Sequence, residues 1–158
     1  MENKNRILVV DDDETVQKVF HAGLKQEGFD VDVASTGKEA IEKTKTEVYN
    51  IALIDIRLPD MEGTRLLTEL KDTIPKMRKI IITGYPDLQN AITSVQKGAD
   101  YYIVKPTSIS ELVKAVKEQL SKQQEEKQYG QKKIAEFVET RLREIDKAKR
   151  ATNLHDKP

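Results

Sequence analysis

Asp11, Asp12 and Asp13 stand in a row directly after the apolar run Ile7–Val10, and Asp55 stands directly after a second run, Ile51–Ile54. Thr83 closes a third such run and Lys105 follows a fourth. Carboxylates brought close together repel one another, which raises the cost of full ionisation. A hard divalent cation relieves that repulsion, and an all-oxygen donor set suits magnesium, which keeps several of its waters. A carboxylate, a cation, a hydroxyl and an ammonium are together the groups needed to move and then hold a phosphoryl group. Any one acid at a strand end is ordinarily a cap or a solvated loop residue. Asp13 reads that way, as a cap for the helix that follows. The joint pattern is what points to chemistry.

The elements that must position these residues alternate in type. Ile7–Val10 is a continuous apolar run of the kind buried on both faces of a parallel sheet. From Glu14 the spacing changes to Val16, Val19, Phe20 and Leu24, a helical stripe that stops near Gly28. Phe29–Ala34 alternates apolar residues with Asp, which predicts a strand at the sheet edge, and Thr36–Thr46 is a weak helix around Ala40 and Ile41. Ile51–Ile54 is the third strand, and Gly63–Lys71 the third helix with Leu66, Leu67 and Leu70 inward. Lys79–Thr83 is the fourth strand. The helix after it is expected to turn Leu88, Ala91, Ile92 and Val95 inward and to end at Gly98. Tyr101–Val104 is the fifth strand, and a capping box of Ser108 and Glu111 opens the fifth helix. Five strand–helix units in strict alternation predict an α/β fold, a five-stranded parallel sheet wound on both faces. In such a sheet the strand C-termini share one edge, where ligands bind.

Composition narrows the function classes. The 158 residues carry 27 basic and 27 acidic side chains, so the global positive charge expected of a nucleic-acid binder is absent. There is no cysteine, which excludes disulfides, thiolate metal sites and cysteine nucleophiles. No apolar run approaches the roughly 18 residues of a membrane span, and the first apolar stretch runs straight into acids rather than forming a signal sequence. A cytoplasmic protein is the expectation.

The segments VVDDD at 9–13, LIDIRLPDMEG at 53–63, ITG at 82–84 and GADYYIVKP at 98–106 resemble the receiver domain of two-component response regulators. The resemblance covers about residues 5–120 and implies the doubly wound flavodoxin-like fold. It makes Asp55 the phosphoacceptor for a sensor histidine kinase or phosphotransfer protein. Asp11 and Asp12 would hold Mg²⁺ together with Asp55 and the Arg57 backbone carbonyl. Thr83 would hydrogen-bond one phosphoryl oxygen and Lys105 would pair with another. Tyr102 matches the aromatic whose rotamer changes once Thr83 moves toward the phosphate, which switches a protein-interaction surface. Lys105-Pro106 resembles the family's cis peptide. Arg57 and Tyr85 occupy positions flanking the path of the hydrolytic water, and bulky Tyr85 is expected to lengthen the life of the phosphate. Gly84 is expected to leave room for the phosphoryl donor, and Pro59 and Gly63 to shape the turn after Asp55. The chain would be no enzyme beyond gaining and losing its own phosphoryl group. An aspartate-nucleophile phosphatase would place a second Asp where Arg57 stands, and three acids after the first strand would repel a flavin phosphate.

Residues 1–121 form the receiver on this reading and 122–158 a charged helical extension, with no separate DNA-binding output domain expected. From Ser121 to Pro158 there are ten basic and seven acidic side chains, so the tail carries about +3 and the preceding residues about −3. Ser121–Gln128 is almost wholly polar, Gly130 is expected to end or bend a helix, and Asn153–Pro158 reads as frayed. Ile134, Phe137, Val138, Leu142 and Ile145 then make one apolar stripe of barely two heptads. Three uses compete for it, a homodimer helix, a docking helix for a kinase or effector, or a helix folded on its own receiver, and the plain alternative is a mostly solvated continuation of the fifth helix. Arg141, Arg143, Lys147, Lys149 and Arg150 are interspersed with acids, which weighs against direct nucleic-acid binding.

Overall fold

A computed structural model of the chain describes residues 4–155. The elements run β1 (Arg6–Val10), α1 (Glu14–Gln26), β2 (Asp30–Ala34), α2 (Gly37–Thr46), β3 (Ile51–Asp55), α3 (Gly63–Glu69), β4 (Arg78–Thr83), α4 (Leu88–Gln96), β5 (Tyr101–Val104) and α5 (Ile109–His155). The strands form one sheet in the order β2-β1-β3-β4-β5, with every pair parallel. The order reverses at β1, so the crevice between the ends of β1 and β3 is the switch point where such sheets bind ligands. β2 lies at the edge, as its alternation of Asp with apolar residues predicts.

Alternation along each strand divides the core in two. Ile7 and Val9 of β1, Ile51 and Leu53 of β3, and Ile80 and Ile82 of β4 pack with Phe20 and Leu24 of α1 and Leu112 and Val116 of α5. Leu8, Val10, Ala52, Ile54 and Ile81 face the other way, against Ala40 of α2 and Leu66 and Leu67 of α3. Burial on both faces is why these strands are continuous apolar runs. At the N-terminal edge, Asn50 accepts the Arg6 N–H and its amide donates to Gln123, while the Gln123 amide donates to the carbonyls of Asn50 and Lys76. These bonds satisfy buried polar groups and tie α5 to the starts of three strands.

Four local expectations are corrected. α3 ends at Glu69 rather than Lys71, although Leu70 is still buried. α4 does not turn its apolar stripe inward: Leu88 is 78% exposed and Val95 69%, Ile92 is exposed too, and Ser94 is the buried position. A small residue lets α4 approach its neighbours closely, and the Ser94 hydroxyl, which would otherwise be a buried orphan, donates to the Asn90 carbonyl. Gly130 neither ends nor bends a helix into two, because α5 runs through it for 47 residues. A single glycine costs a helix about 1 kcal/mol, too little to stop one. α5 also continues through Asn153 to His155, so only residues 156–158 of the end expected to fray lie outside the described residues. The contacts divide the chain into two compact units, Met1–Gln123 and Gln124–Pro158.

The turn after β3 has no space for a side chain at Gly63. A Cβ there would strike the backbone carbonyl of Asp55 inside van der Waals contact, while the Gly63 N–H donates to the Ile56 carbonyl at 2.6 Å. Gly63→Ala is therefore expected to destabilise the fold by about 3 kcal/mol. At Gly84 an added Cβ would meet nothing nearer than the Lys105 Cδ at 3.9 Å, so Gly84→Ala should stay within about 0.5 kcal/mol of the parent. Urea unfolding of the two variants checks the contrast, and equal losses would contradict it.

Candidate functional site

β1 and β3 lie side by side with Val10 opposite Ile54, so Asp11 and Asp55 emerge next to each other. Asp11, Asp12 and Asp55 each present an oxygen within 4.8 Å of one another. Asp11 is buried and Asp12 exposed, so the cluster faces an open cavity of about 490 Å³ rather than the core. Arg57, Gly84, Tyr85 and Lys105 complete its walls.

Hydrogen bonds hold this arrangement. Asp13 caps α1, its carboxylate accepting the N–H groups of Thr15 at 2.8 Å and Val16 at 3.2 Å. Its own N–H donates to Asp11 Oδ1 at 2.9 Å. The other oxygen of Asp11 accepts from Lys105 Nζ at 2.7 Å, and the same ammonium reaches Asp55 Oδ2 at 3.4 Å. A cis peptide joins Lys105 to Pro106. Burial pushes the Asp55 carboxyl above its ordinary range, and Asp11 adds to that push. Lys105 and the Arg57 N–H, which donates to Asp55 Oδ1 at 3.3 Å, act the other way but do not cancel it. For Lys105 burial favours the neutral amine, yet the bonds to Asp11 and the charge of Asp55 hold the ammonium above its usual range.

Thr83 ends β4 beside this edge, fully buried, and its hydroxyl accepts the Tyr85 N–H at 2.9 Å without lining the cavity. Tyr102 packs against the core cluster of β3 and α3. Among the described residues its buried hydroxyl has no hydrogen-bond partner. Burial raises its phenol, and the nearby Asp87 charge adds to the effect. The Arg57 guanidinium lies over the Tyr85 ring, 3.7 Å from its centroid, a cation–π contact at the cavity wall.

Sequence reasoning missed Asp60. Its carboxylate accepts the N–H groups of Gly37 and Lys38, both at 2.9 Å, so the loop after β3 caps the N-terminus of α2. These bonds hold the Asp60 carboxyl below its ordinary range. Met61 of the same loop fills the space a Cβ at Gly37 would need. With the Arg57–Glu62 bridge, this fixes the loop that carries Arg57. An acid in a turn was visible in the sequence, but its donors lie more than 20 residues away.

The donor set fits a hard cation. Three carboxylates converge at an open cavity, all their ligand atoms are oxygens, and the one resident ammonium leaves Asp12 without a partner from Lys105.

The response regulator receiver domain model matches residues 7–117. The chain is 32% identical over 123 residues to the alginate biosynthesis transcriptional regulatory protein AlgB of Pseudomonas syringae pv. tomato, a match over 78% of this chain and 28% of that protein. It thus spans little more than a quarter of the length of that curated relative. The crystal structure of a CheY-like response regulator receiver domain protein from Methanospirillum hungatei JF-1 superposes with a TM-score of 0.76 at 43% identity, covering 78% of this chain and 99% of that one. A Burkholderia pseudomallei response regulator, crystallised with a phosphorylated aspartic acid, calcium ion and citrate, superposes at 0.68 with 29% identity, covering 78% of this chain and 72% of its own. With a family model matched from β1 to the first turns of α5, and with the doubly wound sheet and its acidic rim in place, this chain belongs to the response regulator receiver family.

Proposed function

We propose that Asp55 accepts a phosphoryl group from the phosphohistidine of a sensor kinase or phosphotransfer protein, and that the modification switches a protein-interaction surface in the cytoplasm. The observation that carries this reading is the Lys105 ammonium shared between Asp11 and Asp55 at the rim of the acidic cavity. The phosphorylated aspartic acid and metal ion of the Burkholderia pseudomallei relative support it.

In the transfer, an Asp55 carboxylate oxygen attacks phosphorus and the phosphorus–nitrogen bond breaks, its electron pair staying on the departing imidazole. Asp11, Asp12 and Asp55, with the Arg57 carbonyl, would hold Mg²⁺, which supplies charge neutralisation for the phosphoryl oxygens. Lys105 already lies within reach of Asp55 and would exchange a carboxylate oxygen for a phosphoryl oxygen. Thr83 would trade the Tyr85 N–H for another, and the movement would free space for Tyr102. The chemistry is confined to the chain's own phosphoryl group. The exposed Leu88, Ile92 and Val95 of α4, and Tyr101 and Val104 of β5, offer apolar surface that such a switch would alter. No helix among the described residues is long and apolar enough to cross a membrane.

Three outcomes test this reading. Asp55→Asn should abolish phosphate incorporation from a phosphohistidine donor, and labelled Asp55→Asn protein would refute the site. Because burial raises the Asp55 pKa, the folded state disfavours its ionised form. The stability tied to the neutral acid is present at low pH and is lost as pH rises through the raised pKa. In metal-free buffer at pH 7, Asp55→Asn should accordingly raise Tm, by an amount that solvent screening at the open cavity keeps small. The gain should shrink as pH falls below the ordinary carboxylate range. A Tm gain that is absent at neutral pH would contradict the electrostatic account. Finally, Tyr85→Ala removes the ring under Arg57 and should shorten the life of the aspartyl phosphate severalfold in single-turnover decay. An unchanged or longer lifetime would reject that role.

A further inference from the structure

An apolar feature that the receiver chemistry does not use is the stripe on the C-terminal part of α5. Ile134, Phe137, Val138, Leu142 and Ile145 are all exposed, Phe137 at 72% and Ile134 at 65%. At about 100° of turn per residue, Ile134, Val138, Leu142 and Ile145 fall within an arc of about 80°, and Phe137 lies about 60° beyond its edge. A helix this apolar on one side and charged on the other covers that side with something.

The sequence of the stripe names its partner. Read backward about a point between Glu139 and Thr140, Ile134 takes the place of Ile145 and Phe137 the place of Leu142. Val138 takes the place of Arg141, so four of the five apolar positions exchange under reversal, a pattern that suits a second copy laid antiparallel across a two-fold axis. The flanking charges make the same choice. Lys132 and Lys133 border the stripe near one end, and Glu144 and Asp146 border it near the other, where Arg143 is paired with Glu139 on its own helix and Lys147 lies on the side away from the stripe. Antiparallel copies bring the lysines of each helix beside the acids of the other. Parallel copies would set lysines beside lysines and acids beside acids, which is unfavourable at such flanking positions. All four side chains are exposed. Their present partners lie on their own helix, Arg141 for Glu144 and the Tyr129 ring for Lys133, so they are available. The mixed charge of the polar face, with Glu136 and Glu139 among the bases, suits this pairing better than a uniformly anionic surface.

We propose that residues 127–152 of α5 pair antiparallel with the same segment of a second copy of the chain, Ile134 packing on Ile145 and Lys132 and Lys133 facing Asp146 and Glu144. The pairing is independent of phosphate on Asp55, so its failure and the failure of the phosphoacceptor reading are separate results.

Light scattering of the unphosphorylated full chain over a hundredfold concentration range should show a monomer–dimer equilibrium. Phe137→Glu, an exposed position that leaves the receiver intact, should shift it toward monomer by at least tenfold in concentration. Lys132→Glu with Lys133→Glu should do the same in the antiparallel arrangement but leave a parallel dimer unchanged. The parent chain contains no cysteine, so disulfide mapping has no background. Ile134→Cys mixed with Ile145→Cys should give the mixed disulfide. Ile134→Cys alone should not cross-link, because its two copies would lie about 17 Å apart along the axis at about 1.5 Å per residue, beyond disulfide reach. A monomer at every concentration, a dimer indifferent to Phe137→Glu, or efficient cross-linking of Ile134→Cys to itself would each overturn the proposal.

Discussion

Three carboxylates meet at one end of a parallel sheet, and their mutual repulsion is the constraint to which the neighbouring elements respond. The ends of β1 and β3 are adjacent because the strands pair in register, so Asp11 and Asp55 have no freedom to separate. The Lys105 ammonium, delivered from the end of β5 across the width of β4, offsets part of that repulsion by bonding both acids. It is an incomplete compensation, since Asp55 keeps a raised pKa and Asp12 stays at the cavity rim. A site left partly uncompensated is one that gains most from a cation.

Around that edge the loops are held more firmly than loops usually are. Asp13 bonds the first turn of α1, Asp60 bonds the first turn of α2, and the Gly63 N–H bonds Ile56 at the entry to α3. Asp13, next to Asp12, and Asp60, five residues after Asp55, are both acids, and they bond helix N-termini, where their charge is favourable. Adjacent carboxylates thus divide into those that build the frame and those the frame presents to a ligand. The opposite edge is organised by neutral amides, Asn50 and Gln123, which anchor α5 without adding charge. Polar side chains at the two ends of the sheet serve different purposes for this reason.

Much of this was legible beforehand. Continuous apolar runs at β1, β3 and β4 can be buried on both faces only in a parallel sheet, and the Asp alternation of β2 suits an edge. Both follow from side-chain periodicity, which is local. That Asp11, Asp55, Thr83 and Lys105 stand at strand ends on one side of the sheet was legible because a parallel sheet gathers strand ends by topology alone, whatever the loops do. Four motifs in order and spacing then identified the family.

What the tertiary structure decided was orientation and partnership. The stripe of α4 reads as a buried face, but the packing rotates Ser94 inward and leaves Leu88, Ile92 and Val95 in solvent. A helical period shows that a stripe exists and not which neighbour receives it. Gly130 reads as a break, yet the helix passes through it, because one glycine's propensity is outweighed by the turns on either side. Asp60 capping α2, the Arg57–Tyr85 stack and the buried Thr83 hydroxyl bonded to Tyr85 join groups whose proximity depends on how loops fold back. Residue types and spacing determine which elements form and which ends of them converge. The direction each side chain takes on arrival is set by three-dimensional packing and by the hydrogen bonds that buried polar groups find, the Tyr102 hydroxyl excepted.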